Sequence, residues 1–210
     1  MDPIVVIGGG GHAKVVLSIL RKLGKYQILG YSDLRDNGIL LGADYLGSDQ
    51  ELTSMAAERT RLNAVLAIGQ VGLGKARQEL QTRLQSLSLS FPSIVSPYAV
   101  VNEEVEVEAG AVVMDGVVIS SGASIGEGAI LNTNSTVEHD VRIDDWVHIC
   151  PGVTISGGVT VGRFSMIGAG ATIIEGKRIA TECIVGAGAT VVHNLTEPGV
   201  YVGSPARRIR

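Results

Sequence analysis

Aromatic side chains are scarce in this sequence, at 4% of its residues, and cysteine occurs only at Cys150 and Cys183. Few rings exclude a core built on large aromatics. Two lone thiols exclude a disulfide framework and a metal-knuckle spacing, which fits a reducing, cytoplasmic setting. Positive charge is not in excess either. The formal net charge is −4, which leaves no electrostatic footprint for nucleic acid or a membrane surface. No apolar run reaches the roughly 20 residues of a membrane span. Pro3 to Gly11 is apolar, but Asp2 stands where a signal peptide carries a basic region and the run enters a glycine cluster. It reads as a buried strand of a soluble protein. What is abundant is glycine, 28 of 210 residues, in a chain that is 45% hydrophobic. That combination suits a fold packed from small and β-branched side chains.

The second half carries a strict repeat. From Val95 to Val191 every sixth residue is aliphatic, passing through Val101, Val107, Val113, Ile119, Ile125 and Leu131 without a miss. The fourth residue after each is mostly small or aliphatic, as at Ala99, Ala111, Ala123 and Val153. Lys177 breaks that rule, so a distorted turn is expected near Glu175 to Arg178. Glycine often follows the aliphatic residue or falls at the bend. One hexapeptide makes one short strand and one corner, and three make a triangular coil. The aliphatic residue then points into the prism and stacks on its equivalent 18 residues away, because a single hexad cannot bury it.

The first ninety residues read differently. Ile4–Ile7 is an apolar run followed by Gly8-Gly9-Gly10-Gly11-His12-Ala13, then a helical pattern stopped by Gly24. Further strands are expected at 26–31 and 64–68, with a helix from about 75 to 87. Strands alternating with helices predict a small parallel α/β sheet. The glycine cluster matches G-x-G-x-x-A, and Asp33 lies 21 residues after His12. Such glycines admit phosphate to a helix N-terminus while the acid takes ribose hydroxyls. The unit is short for a full dinucleotide fold, so NAD fits poorly and a mononucleotide, such as that of a nucleotide sugar, fits better. The bland alternative is a glycine-rich turn with no ligand.

Four histidines are available: His12, His139, His148 and His193. His139 falls at an outward corner between Glu138 and Asp140, where a carboxylate can orient the imidazole. His148 is nine residues on, half a coil away. Within one chain the two belong on different faces, though they could meet across a groove between copies. Gly157 lies one coil above His139.

The stretch Asn132-Thr133-Asn134-Ser135-Thr136-Val137-Glu138-His139-Asp140 with Val147-His148-Ile149 resembles one branch of the hexapeptide acyltransferases. That branch N-acetylates nucleotide-linked 4-amino-4,6-dideoxy sugars and includes sialic-acid O-acetyltransferase-like proteins. The Gly8–His12 turn, Asp33, Ile68-Gly69 with Arg77, and the ending Gly199 to Arg207 extend the likeness along nearly the whole chain. The resemblance implies an α/β, Rossmann-like half domain over 1–92, binding the nucleotide sugar. A left-handed parallel β-helix with a C-terminal tail follows over 93–210. It also implies a homotrimer with acetyl-CoA, and no metal, as co-substrate in the groove between prisms.

Carried over residue by residue, the resemblance makes His139 the general base and Asp140 its orienting carboxylate. Gly8, Gly10, His12, Asp33 and Gly69 hold the nucleotide, although many relatives carry Asn where this chain has Gln70. Asn132 faces the sugar, and His148 lies near the acetyl group. Gly157, Ala169 and Ala187 line the pantetheine arm, and Pro205, Arg207 and Arg208 lie near the adenosine. Direct attack on the thioester is expected, with a backbone N–H at Gly157 for the oxyanion. A route through Cys150 or Cys183 is a poor second. The rivals are a three-histidine zinc enzyme, a non-catalytic nucleotide-binding β-helix, and O- instead of N-acetylation. The sugar, its nucleotide and the acyl chain are not legible.

Overall fold

The computed structural model describes residues 1–58 and 61–210. Its first layer is a four-stranded parallel sheet in the order β2-β1-β3-β4, built from β1 (Asp2–Ile7), β2 (Tyr26–Ser32), β3 (Leu62–Leu66) and β4 (Leu89–Ser90). Between them run α1 (Gly11–Leu23), α2 (Asp49–Ala57) and α3 (Lys75–Gln85). β1 is central and buried on both faces, which is why it reads as an unbroken apolar run. α1 buries Ala13, Val16, Leu17, Ile19 and Leu20 against the sheet and ends on Gly24 in the left-handed conformation. The sequence reading missed α2 and β4.

From Ile94 onward the chain winds as a left-handed β-helix of six coils with three parallel faces. Face one stacks strands from Ile94–Val95 through Ile130–Leu131 and His148–Ile149 to Cys183–Val185. Face two runs from Val100–Val101 through Thr136–Val137 to Thr190–Val191, and face three from Glu106–Val107 to Arg178–Ile179. Each aliphatic residue pairs with its equivalent 18 residues away, as in Ile125↔Ile143 and Ile155↔Ile173. Inward residues from Val113 onward are buried, but Val101 is 40% exposed. The first coil has no neighbour beneath it, so its inward side chains stay partly open.

The corners obey a second six-residue rule. Every sixth residue from Glu104 to Gly188 has φ between 56° and 74°. Most are glycines, for which this conformation is free of strain, but Glu104, Asn134, Asp140, Trp146, Phe164 and Glu182 are not. The expected distortion near Lys177 is absent. Gly176 turns the corner at φ 68° and Lys177 accepts from Thr160 in the ordinary ladder. Lys177 is half-buried, its long stem standing where other coils place a small side chain.

Helix α3 docks on the corner between faces three and one. Arg77 donates to the Gly128 carbonyl at 2.8 Å and lies over the Trp146 ring, 5.6 Å from its centroid. Gln81 bonds Glu127 at 2.9 Å, Gly74 donates to the Phe164 carbonyl, and Lys75 pairs with Glu182. Trp146 is 1% exposed. Its aromatic burial offsets the roughly 1–2 kcal/mol that a left-handed backbone costs a non-glycine residue. The tail folds back as a hairpin, Gly199–Val202 with Arg207–Arg208, and Ala206 donates to Thr190.

Candidate active site

A cavity of about 580 Å³ opens at the C-terminal edge of the α/β sheet, walled by the Gly8–His12 turn, Ser32–Leu34, Ala67–Gly69 and Val71. The four glycines are not equivalent. A Cβ at Gly8 would meet the Ala67 carbonyl at 2.8 Å, with φ at 119°, and one at Gly9 would strike Asn37 and Tyr31. The chain's own packing explains those two. At Gly10 and Gly11 a Cβ would meet nothing within 4 Å among the described residues. Gly10 caps α1 with no side-chain acceptor, and the first turn holds no acid. The first amides of α1 thus have neither a side-chain cap nor an acid beside them at the positive end of the helix dipole, a place suited to phosphate. Asp33 accepts from the Gly9 amide at 2.6 Å, which fixes the turn. Gly69 packs against His12, whose Nε2 is buried with no hydrogen-bond partner among the described residues. Burial, then the neighbouring charges of Arg77 and His148, hold the His12 pKa down at about 4.

Asn132, His148 and the loop at Gln70 come together where this layer meets face one. The His148 ring is buried, with Nδ1 at 3.0 Å from the Gln70 carbonyl and Nε2 at 3.2 Å from the Asn132 amide nitrogen. Its pKa too is lowered to about 4, chiefly by burial. Stacked above Thr133, beside Asn132 at the same corner, are exposed Ala169 and Ala187, with Gly188 donating to the Ala169 carbonyl at 2.8 Å. The tail lies close to this corner, where Pro205, Arg207 and Arg208 are exposed. Arg208 is tied to Glu197 at 2.7 Å.

His139 sits elsewhere, on the corner between faces two and three. Its Nδ1 lies 2.9 Å from Asp140, whose left-handed backbone swings the carboxylate back against the ring. That hydrogen bond, first among the causes, raises the His139 pKa. Gly157 is directly above: a Cβ there would lie 2.5 Å from His139 Nε2. The Gly157 N–H has no backbone partner among the described residues. Asn132 and His139 stand on successive corners of the prism, separated by the left-handed Asn134 and the strand Thr136–Val137. One chain therefore divides the expected site between two corners, with Asn132, His148, Ala169 and Ala187 on one side and His139, Asp140 and Gly157 on the other.

The cysteines are poor nucleophiles here. Burial pushes both thiols up to about 11, and Cys150 Sγ stands 3.9 Å from a His148 nitrogen already committed to Gln70. Among the described residues no three His, Cys, Asp or Glu side chains are grouped to hold a metal, and no helix is long and apolar enough to cross a membrane. Sequence reasoning missed the burial of Arg77, whose Nε and Nη2 have no partner among the described residues.

The PglD N-terminal domain family matches residues 3–84, and the bacterial transferase hexapeptide family matches residues 122–157. PerB of Caulobacter crescentus, solved with CoA and GDP-perosamine, superposes with a TM-score of 0.92 at 34% identity, covering 100% of this chain and 98% of its own. This chain belongs to the hexapeptide-repeat N-acetyltransferases of nucleotide-linked amino sugars. Within that family, the acetyltransferase domain of PglB from Neisseria gonorrhoeae, solved with acetyl coenzyme A, matches at TM-score 0.89 and 30% identity over 99% of both chains. WeeI from Acinetobacter baumannii matches at TM-score 0.90 and 25% identity over the whole of both.

Proposed function

We propose that this protein transfers acetyl from acetyl-CoA to the 4-amino group of a nucleotide-linked 4-amino-4,6-dideoxy sugar, with His139 as general base. Acetyl-CoA-dependent N-acetylation of an amino sugar follows from the family; the position of the amine and the base are the finer claim. The observation that carries it is the His139–Asp140 pair under Gly157. Donation from Nδ1 to Asp140 leaves Nε2 with a free lone pair directed at the one corner where glycine leaves room for it. The amine nitrogen attacks the thioester carbonyl while Nε2 takes its proton. The oxyanion is held by the Gly157 N–H until the C–S bond breaks, and the proton passes to the departing thiolate.

The nucleotide belongs in the cavity of the α/β layer, its diphosphate at the amides of Gly10 and Gly11, with Gly8, His12, Asp33 and Gly69 around it. PerB, a relative covering this whole chain, carries GDP-perosamine. Because the cavity and Asn132 lie to either side of face one and His139 at the corner between faces two and three, a complete site needs two copies. A cyclic homotrimer would set the His139 corner of one prism against the Asn132 corner of the next. The pantetheine arm then runs between Gly157 of one copy and Ala169 and Ala187 of another, near His148, with the adenosine toward Pro205, Arg207 and Arg208. A cytoplasmic setting, where acetyl-CoA is available, suits this chemistry.

The test is free-thiol release from acetyl-CoA with UDP-, GDP- and dTDP-linked 4-amino-4,6-dideoxy sugars and free sialic acid. One amino sugar should be turned over, and His139→Ala should lower that rate about 10²- to 10⁴-fold. Gly157→Val, which displaces the ring, should cost about 10²-fold. Turnover of hydroxyl acceptors alone would overturn the reading in favour of O-acetylation, and an unimpaired His139→Ala would remove the base.

A further inference from the structure

We infer that Gln70 and His148 are positioning residues that orient the Asn132 amide from the loop flooring the nucleotide cavity. The inference rests on the proposed function for what Asn132 faces, but its geometry stands apart from it. The Asn132 side-chain oxygen accepts from the Thr133 amide at 2.8 Å. Its nitrogen therefore points the other way, to His148 Nε2 at 3.2 Å, and donates there. At the far side of the ring, Nδ1 meets the Gln70 carbonyl at 3.0 Å, and a carbonyl only accepts. The two ends agree on one tautomer, with the proton on Nδ1 and the lone pair on Nε2.

The Gln70 carbonyl is itself held. Gln70 is 6% exposed; its side-chain nitrogen donates to the Gly72 carbonyl at 2.9 Å, and its oxygen faces Arg77 Nη1 at 3.4 Å. Arg77, 4% exposed, is anchored by the Gly128 carbonyl. The adjoining residues Gly69 and Val71 wall the cavity. Donation thus runs from Asn132 through His148 to the Gln70 carbonyl of that loop, and Asn132 keeps its second amide proton for a ligand. His148 has neither ring nitrogen free to carry a proton to or from the reacting groups. It acts through Asn132.

The test compares the wild type with Gln70→Met, which keeps the side chain's bulk and removes both of its hydrogen bonds, and with the pair Arg77→Met and Arg77→Lys. Nitrogen-15 spectra of histidine-labelled protein report the tautomer, the His148 signal being identified by its loss in His148→Gln. The wild type should show a protonated Nδ1 and a bare Nε2 on that ring. Gln70→Met should mix the tautomers and lower kcat about tenfold while KM for acetyl-CoA stays within twofold. Arg77→Lys should recover part of what Arg77→Met loses; should Arg77→Met not fold, Gln70→Met decides. A wild-type His148 protonated on Nε2, or a Gln70→Met protein unchanged in both spectrum and kcat, would overturn the inference. If no amino sugar is turned over, the proposed function fails while the spectra still judge the relay.

Discussion

The prism presents the same six-residue unit at every corner, yet two of its corners have opposite fates. At the one covered by α3, Trp146 and Phe164 occupy left-handed positions, Arg77 is buried on Trp146, and the adjoining face holds a neutral, enclosed His148. At the bare one, Asp140 occupies the equivalent position, and its side chain and that of His139 are 73% and 61% exposed. The backbone is nearly identical in both places. What differs is the cover, so a repeat can supply an exposed histidine and an enclosed one nine residues apart. The α/β layer therefore sets which corners of the β-helix are covered within one chain.

The sharpest way to break that comparison is to strip the covered corner. Trp146→Ala removes the ring on which Arg77 and Gly128 pack and should destabilise the protein by about 3–5 kcal/mol. Trp146→Gly should recover about 1 kcal/mol of that, because glycine relieves the left-handed backbone. At a bare corner, Gly158→Ala has open space around the added methyl and only φ 65° to contend with, so about 1 kcal/mol is expected. Urea unfolding of the three variants gives the ranking. Equal losses at the two corners would mean that the cover contributes nothing.

Most of the β-helix was legible because its stabilising unit recurs: an aliphatic residue every sixth position needs no tertiary knowledge to be read. The left-handed corner register could have been read as well, since glycine recurs at the third residue after the aliphatic from Gly110 to Gly128. It was obscured where Asn134, Asp140, Trp146, Phe164 and Glu182 replace it, and the last three are residues that meet α3. The docking itself left no periodic signal. Arg77 stood out only through the resemblance, and its burial depends on a carbonyl 51 positions away. The cavity was legible as a glycine cluster, but only the fold separates Gly8 and Gly9, needed for packing, from Gly10 and Gly11, where a Cβ would meet open space.

Acid should distinguish the two environments next. His12 and His148 have folded pKa values near 4 against an ordinary 6.5. Above pH 6.5 both are neutral whether the chain is folded or not, and stability is unaffected by them. As pH falls from 6.5 toward 4 the unfolded chain takes up protons that the folded one refuses, so stability declines. At pH 5 the loss is on the order of 1–2 kcal/mol for each group. Urea midpoints at pH 7 and pH 5 should move accordingly, and His148→Asn should remove about half of the difference. A midpoint insensitive to this interval would mean that the covered histidines are not held neutral by burial.

The bare corner should answer to pH in the opposite direction and through rate instead of stability. The hydrogen bond to Asp140 raises the His139 pKa, so the unprotonated base accumulates only as pH climbs through a value above 6.5. The pH profile of kcat/KM for acetyl transfer should therefore rise through an inflection on the alkaline side of an ordinary histidine. In Asp140→Asn the amide oxygen can still accept from Nδ1, which preserves the tautomer, but the negative charge is gone. The inflection should move down toward 6.5, and the alkaline plateau should fall by less than about tenfold because the base is weaker. An inflection that stays in place when Asp140 is neutralised would show that another group titrates, and His139 would lose its claim to the proton.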